Sequence, residues 1–319
     1  MSRGFFAKPW WPWARRGLWT AFFVLVGSLL FSQARHIEWA EVMRALRGLP
    51  ATTLVAAACL AAASHAIYAT FDLIGKWWTG HALRVRQVVP VTLVSYAFNL
   101  NLGALVGGFA FRYRLYARLG LDAGTITRVL GMSLVTNWLG YLVLAGAVFA
   151  SAAISPPEGW RIGGAALRAL GVALIACALA YLALCAFSRR RSFHVHGHEI
   201  ELPPLRVALL QLVLSCANWA TIAGVTYVLL RQQIAYPQVL GVLLIAAVAG
   251  VLTHIPAGLG VLEAVFIALL GGQLARGEML GALLAYRVLY YLAPLLIALV
   301  VFLVIEARAR RQPALQQAR

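Results

Sequence analysis

Eight apolar stretches run along the chain, at about 17–34, 50–74, 88–111, 129–153, 162–187, 207–230, 239–274 and 279–305, divided by short arginine-rich segments. Most have about the length of a helix that crosses a hydrocarbon core of roughly 30 Å. The short alternating segments of a membrane β-barrel are missing, so the pattern predicts membrane-spanning helices. Two stretches break the rule. The run from Val239 to Leu274 is too long for one span and too short for two spans plus a turn, and its single formal charge is Glu263. Its centre reads His254-Ile-Pro256-Ala-Gly258-Leu-Gly260-Val-Leu-Glu263, which predicts a helix interrupted at membrane depth. The run at 88–111 carries Asn99-Leu-Asn101-Leu-Gly103 followed by Gly107-Gly108 and then Arg112-Tyr-Arg114. Interrupted backbone and intramembrane charge are both costly in lipid and mark pathways or binding sites.

Composition agrees with the pattern. Of 319 residues 62% are hydrophobic, and the mean hydropathy is +0.82. These values exclude a soluble domain and predict an all-α polytopic membrane protein. The expectation is one integral membrane domain over 1–319, with cytoplasmic ends at 1–16 and 306–319. The first stretch is expected to be an uncleaved span; a cleaved signal peptide is the alternative. Cys59, Cys177, Cys185 and Cys216 all fall within apolar stretches and form no Cys-x-x-Cys pair, so they read as small apolar residues.

The net charge of +17 does not point to nucleic acid, because the basic residues lie in clusters between spans. They also decide the topology. If 88–111 and 239–274 are both re-entrant, 19 Lys and Arg fall on the cytoplasmic side and 6 on the outer side, with Arg168 and Arg287 inside spans. If both cross once, the split is about 13 to 12 and the positive-inside bias disappears. If 88–111 alone crosses, the split inverts to about 10 and 15. The charge rule thus selects about six full transmembrane helices plus two re-entrant helical hairpins. Units 50–74/88–111/129–153 and 207–230/239–274/279–305 then form an inverted repeat, a common transporter architecture. Trp10, Trp11, Trp13, Trp77 and Trp78 suit an aromatic belt on the cytoplasmic side. Trp39, Val42, Met43 and Leu46 share one face of a short amphipathic helix that suits the outer surface; a plain connecting helix is the alternative.

The candidate pathway residues are Asn99, Asn101, Gly107, Gly108, Arg112 and Arg114 in the first hairpin. In the second they are His254, Pro256, Gly258, Gly260 and Glu263, with Arg287 in the last span. Asn side chains and glycine backbone satisfy freed polar groups and permit close approach. Arg112 and Arg114 have the fork geometry that suits a phosphate. A helix starting near Gly260 would offer its N–H groups to an anion; Glu263 has a candidate counter-charge in Arg287, and could equally carry a proton or contact a cationic headgroup. For each there is a plainer reading: glycine for packing, arginine for topology, and a fixed Glu263–Arg287 pair. Asp72 reads as an interfacial partner of Lys76, four residues on. Tyr286, Tyr290 and Tyr291 flank Arg287. Phe193 to Glu201 alternates as a small hairpin turning at His196-Gly197, whose three His make only a weak metal candidate. Ser64, Ser95, Ser133 and Ser215 are dispersed with no base at a readable spacing, and no hydrolase, nucleotide or zincin motif occurs. No cofactor is expected.

The segments Asn101 to Gly107-Gly108 and Arg112, Pro256-Ala-Gly258-Leu-Gly260-Val-Leu-Glu263, and Arg287 followed by Pro294 resemble the transmembrane, flippase-like region of lysylphosphatidylglycerol synthases. The resemblance extends to the stand-alone YbhN-like inner-membrane proteins of that superfamily and covers nearly the whole chain. It implies a bacterial inner-membrane protein that moves phospholipid or a related lipid between leaflets, with Arg112, Glu263 and Arg287 along the polar pathway. The bifunctional members carry a soluble aminoacyl-transferase domain that the 319 residues do not contain, so lipid aminoacylation is not expected. The expected partners are membrane phospholipids, with a second copy or envelope-biogenesis proteins as further candidates. The alternatives to a translocase are a membrane-embedded lipid-modifying enzyme and a non-catalytic subunit of an envelope lipid pathway.

Overall fold

The computed structural model describes residues 24, 28, 39–154, 163–189, 192–195, 198–253 and 255–317. The first apolar stretch, the N-terminal tryptophans and His254 lie outside them, as do the side chains of the His194–His198 loop.

The described chain is helical apart from one hairpin. A short helix α1 (Trp39–Arg47) leads into α2 (Ala51–Thr79), α3 (Val85–Leu102) and a π-helical turn at Ala104–Phe111. Then come α4 (Arg112–Arg118), α5 (Ala123–Ala150) and α6 (Gly164–Phe187). Strands β1 (Ser192–Val195) and β2 (His198–Glu201) pair antiparallel, as the alternation predicts. The second half holds α7 (Leu205–Leu229), α8 (Tyr236–Thr253), a 3₁₀ turn at Pro256–Gly258 and α9 (Val261–Leu270). It ends with α10 (Arg276–Tyr286), a second π turn at Arg287–Leu292, and α11 (Ala293–Gln317).

Among the described residues, six helices are long and apolar enough to cross a membrane: α2, α5, α6, α7, α8, and the run from Arg276 to Ala307. Both irregular runs are broken helices, as expected. Gly103 (φ 83°, ψ 170°) ends α3, and the chain doubles back so that the Phe98 and Phe111 rings stack at 4.2 Å. In the second, the break has Ala257, Gly258 and Gly260 all at positive φ, and α9 folds back on α8. The arms of this second reversal are unequal. α8 has 18 residues and α9 has 10, about 27 Å and 15 Å at 1.5 Å per residue. That inequality is why the run fitted neither one span nor two.

Helices α2, α5 and α7 pack against one another at the centre. Gly140 of α5 sits against Ser215 of α7, whose hydroxyl accepts a bond from the Gly140 N–H (3.1 Å); a side chain at 140 has no room. The main core is built from α5, α7, α8, α9 and α10, including Phe149, Leu229, Leu244 and Phe266. A second core around Phe98, Phe111, Tyr116 and Phe302 holds the first reversal. By contrast α6 leaves Leu170, Val172, Leu179 and Phe187 exposed, as a lipid-facing helix does.

Candidate functional site

Each break is fastened by one acid–arginine pair, and the two pairs are built in opposite senses. At the second break the arginine comes from outside the reversal. Arg287 opens the π turn, and its Nε and Nη2 reach the two oxygens of Glu263 at 2.5 and 2.8 Å. Its Nη1 donates to the carbonyl of Ala257 (2.9 Å) and Nη2 also donates to that of Gly258 (2.8 Å). A broken helix leaves carbonyls without intrahelical donors. Here one guanidinium supplies them while neutralising a carboxylate in the first turn of α9. Arg287 also lies over the Tyr291 ring, with Cζ 5.9 Å from the centroid. The side chains keep some exposure, 9% for Arg287 and 15% for Glu263. The expected Glu263–Arg287 pairing is therefore present, together with two carbonyl bonds that spacing could not reveal.

At the first break the acid comes from outside. Asp72 of α2 is fully buried and lies 3.4 Å from Arg112 Nη1. Tyr116 and Thr92 donate hydroxyls to its Oδ2 (2.7 and 2.9 Å), and Arg112 donates to Ser133 (3.2 Å) and lies over the Tyr68 ring. This corrects the sequence reading of Asp72 as a partner of Lys76. The Lys76 ammonium instead donates to the His81 carbonyl (3.0 Å), because Asp72 faces the buried side of α2. Arg114 is bonded to Glu306 of α11 (3.3 Å), and Arg118 is bonded to the same carboxylate. Both arginines proposed for a phosphate thus hold carboxylates in this structure.

Gly107 has a steric reason to be glycine. A Cβ there would collide with the backbone of Phe98 and Asn99 on the facing arm. Gly108 lies beside the Asn99 side chain, where a Cβ would be 3.0 Å from Oδ1. Asn101 donates to the Ala97 carbonyl (2.8 Å) and across to the Tyr291 carbonyl (3.2 Å). That bond joins the first reversal to the second π turn, and α3 also packs against the Pro256–Gly258 turn. The two breaks therefore meet. Of the candidates, Asn101, Pro256, Gly258, Gly260, Glu263 and Arg287 gather at this junction or its break, while Arg112 and Arg114 lie toward α2 and α11.

Between the junction and α7 runs a polar cluster that sequence reading did not assemble. Ser64 donates to Asn218 Oδ1 (2.8 Å) and bonds Tyr290 (2.7 Å), whose hydroxyl also bonds Tyr96 (2.8 Å). His65 lies against the rings of Tyr96 and Tyr290 at 5.1 and 4.9 Å. Four separate elements meet there. One signal was readable, a histidine within the apolar stretch 50–74, but its ring neighbours Tyr96 and Tyr290 are 31 and 225 positions away.

A polytopic helical protein with two fastened breaks that touch each other is the class these features define. The model of the lysylphosphatidylglycerol synthase transmembrane region matches residues 18–298, and the chain belongs to that family. It is 43% identical to the inner membrane protein YbhN of Escherichia coli over 98% of both chains. It is 31% identical to a Synechocystis protein over 86% of this chain and 85% of the other. A phosphatidylglycerol lysyltransferase of Staphylococcus haemolyticus is 24% identical over 87% of this chain, a match that spans 32% of that larger protein. Together with the six apolar helices, these likenesses make the chain a multi-pass inner membrane protein.

Proposed function

We propose that the chain is a lipid translocase of the bacterial inner membrane, and not an enzyme, whose two broken helices are re-entrant hairpins of opposite entry. In this reading the whole chain is one membrane domain, both termini are cytoplasmic, and the two three-element units form an inverted repeat around the junction. One observation carries it: Glu263 and Arg287 form a charged pair at the junction that keeps partial exposure, while the Asp72–Arg112 pair is sealed. A guanidinium fork binds phosphate as well as carboxylate. An anionic lipid headgroup displaces Glu263 from Arg287 at the N-terminus of α9, an end whose N–H groups and dipole favour an anion. Removing Glu263 from Arg287 loosens the clamp on Ala257 and Gly258, so headgroup binding and release of the break are one event. The acyl chains remain in the bilayer throughout. The likeness to a phosphatidylglycerol lysyltransferase supports a phospholipid as the cargo class.

The test is leaflet redistribution of labelled phospholipids in proteoliposomes. Wild type is expected to move lipid at least about tenfold faster than empty vesicles, with Glu263→Gln and Arg287→Ala strongly reduced. If all three match empty vesicles, the reading fails. Single cysteines replacing Arg118 and Arg276 should label from opposite faces; labelling from one face removes the inverted topology. A partner-subunit role would instead leave function intact in Glu263→Gln.

A further inference from the structure

The Glu263 carboxylate is committed to Arg287, so proton chemistry at the junction has to come from another group. His65 on α2 is buried, and its Nδ1 lies 2.9 Å from the Ala61 carbonyl. A carbonyl only accepts, so Nδ1 carries a hydrogen and donates. In the neutral ring Nε2 is then a bare lone pair, and it has no hydrogen-bond partner although it is buried. Beside it the hydroxyls form a chain with a fixed direction. Ser64 gives its proton to Asn218 Oδ1, so Tyr290 must donate to Ser64, and Tyr96 must donate to Tyr290. Tyr96 is on the first broken helix and Tyr290 on the π turn whose Arg287 clamps the second break, so this chain is a direct bond between the first break and the clamp of the second.

We propose that His65 Nε2 is a proton-binding site whose protonation loosens the contact between the first broken helix and the π turn that clamps the second. Its coupling to cargo movement rests on the translocase reading. A proton on Nε2 turns an acceptor into a charged donor. The new N–H seeks the Tyr96 oxygen, the hydroxyl oxygen at the start of the chain, while the ring charge is favoured by the faces of Tyr96 and Tyr290. Meeting that oxygen shifts Tyr96 on Tyr290, and the bridge between the first break and the clamp of the second opens. The titratable groups that face His65 are Tyr96 on α3 and Tyr290 on the π turn; Tyr68 on α2 stacks on Tyr96, and Tyr286 and Tyr291 pack against Tyr290. Asp72 is held by Arg112 and Arg287 by Glu263, so neither carboxylate is free to take the proton first.

The test is hydrogen–deuterium exchange of the purified protein in nanodiscs at pH 5.5 and 7.5, corrected for intrinsic exchange. In wild type, segments 93–103 and 286–293 should exchange at least about threefold faster at pH 5.5. His65→Asn keeps a donor for Ala61 and lacks Nε2, so this difference should vanish. An equal difference in wild type and variant, or none in wild type, overturns the proposal. Where the variant does not fold, the ¹⁵N-imidazole spectrum of wild type decides. One histidine should show the Nδ1–H tautomer at pH 8 and gain a second proton by pH 5; an Nδ1–H ring that stays neutral overturns the site. Exchange that responds to pH without lipid movement refutes the translocase reading alone, whereas lipid movement without that response refutes the proton site alone.

Discussion

The two broken helices solve the same problem with different materials. At the first, α3 and the π turn at 104–111 press backbone against backbone, with Gly107 admitting the contact and a sealed Asp72–Arg112 pair behind it. At the second, the arms are joined by a stretch in left-handed backbone, and an arginine paired with a partly exposed glutamate holds its loose carbonyls. The first is closed by sterics and a desolvated charge pair; the second by hydrogen bonds that a competing anion can take over. A fixed wall beside a releasable catch is a division of labour that suits gating.

The largest effect should come from the wall. Gly107→Val sets a side chain into the Phe98–Asn99 backbone and should abolish the monodisperse peak in size-exclusion chromatography. Gly258→Ala in the catch meets open space at φ 56° and should remain folded. Next, Asp72→Asn leaves Arg112 buried without its charge partner and should cost ~3–5 kcal/mol in denaturant unfolding. Glu263→Gln should cost less, ~1–3 kcal/mol, because Arg287 retains two carbonyls and the carboxylate itself is not fully buried. If the two carboxylate substitutions cost the same, the distinction between wall and catch is wrong. The smallest effect lies outside both. Asp122 caps α5 by accepting from the Thr125 N–H and hydroxyl (3.0 and 2.6 Å), and these bonds hold its carboxyl below the ordinary value of 3.8. Its contribution is therefore present above 3.8 and is lost as pH falls through the lower folded value. Amide exchange at residues 123–126 should quicken at strongly acid pH in wild type and not in Asp122→Asn.

Much of this arrangement was legible in the chain itself. Apolar runs of helix-spanning length gave the helices, and Pro256, Gly258 and Gly260 gave the break, because backbone conformation is a local property. Glu263 and Arg287 were identifiable as a pair because each is a charge in an otherwise apolar run. Asp72 misled for a local reason: Lys76 four residues on offers the ordinary helical ion pair, and nothing in the spacing tells which face of α2 is buried. The hydroxyl chain was unreadable for the opposite reason. Ser64, Tyr96, Asn218 and Tyr290 are ordinary residues on separate helices, and only packing makes them neighbours.

The two π turns, at Ala104–Phe111 and Arg287–Leu292, each carry or adjoin the arginine that fastens a break. A π turn holds a surplus residue relative to an α turn. Passing that surplus along the helix swings everything between its old and new positions by one residue's step, about 100°. Each is thus a slack link in an otherwise taut rod: Arg287 or Arg112 is able to swivel out of its pairing by a change of winding, with the helix ends left anchored in the bilayer.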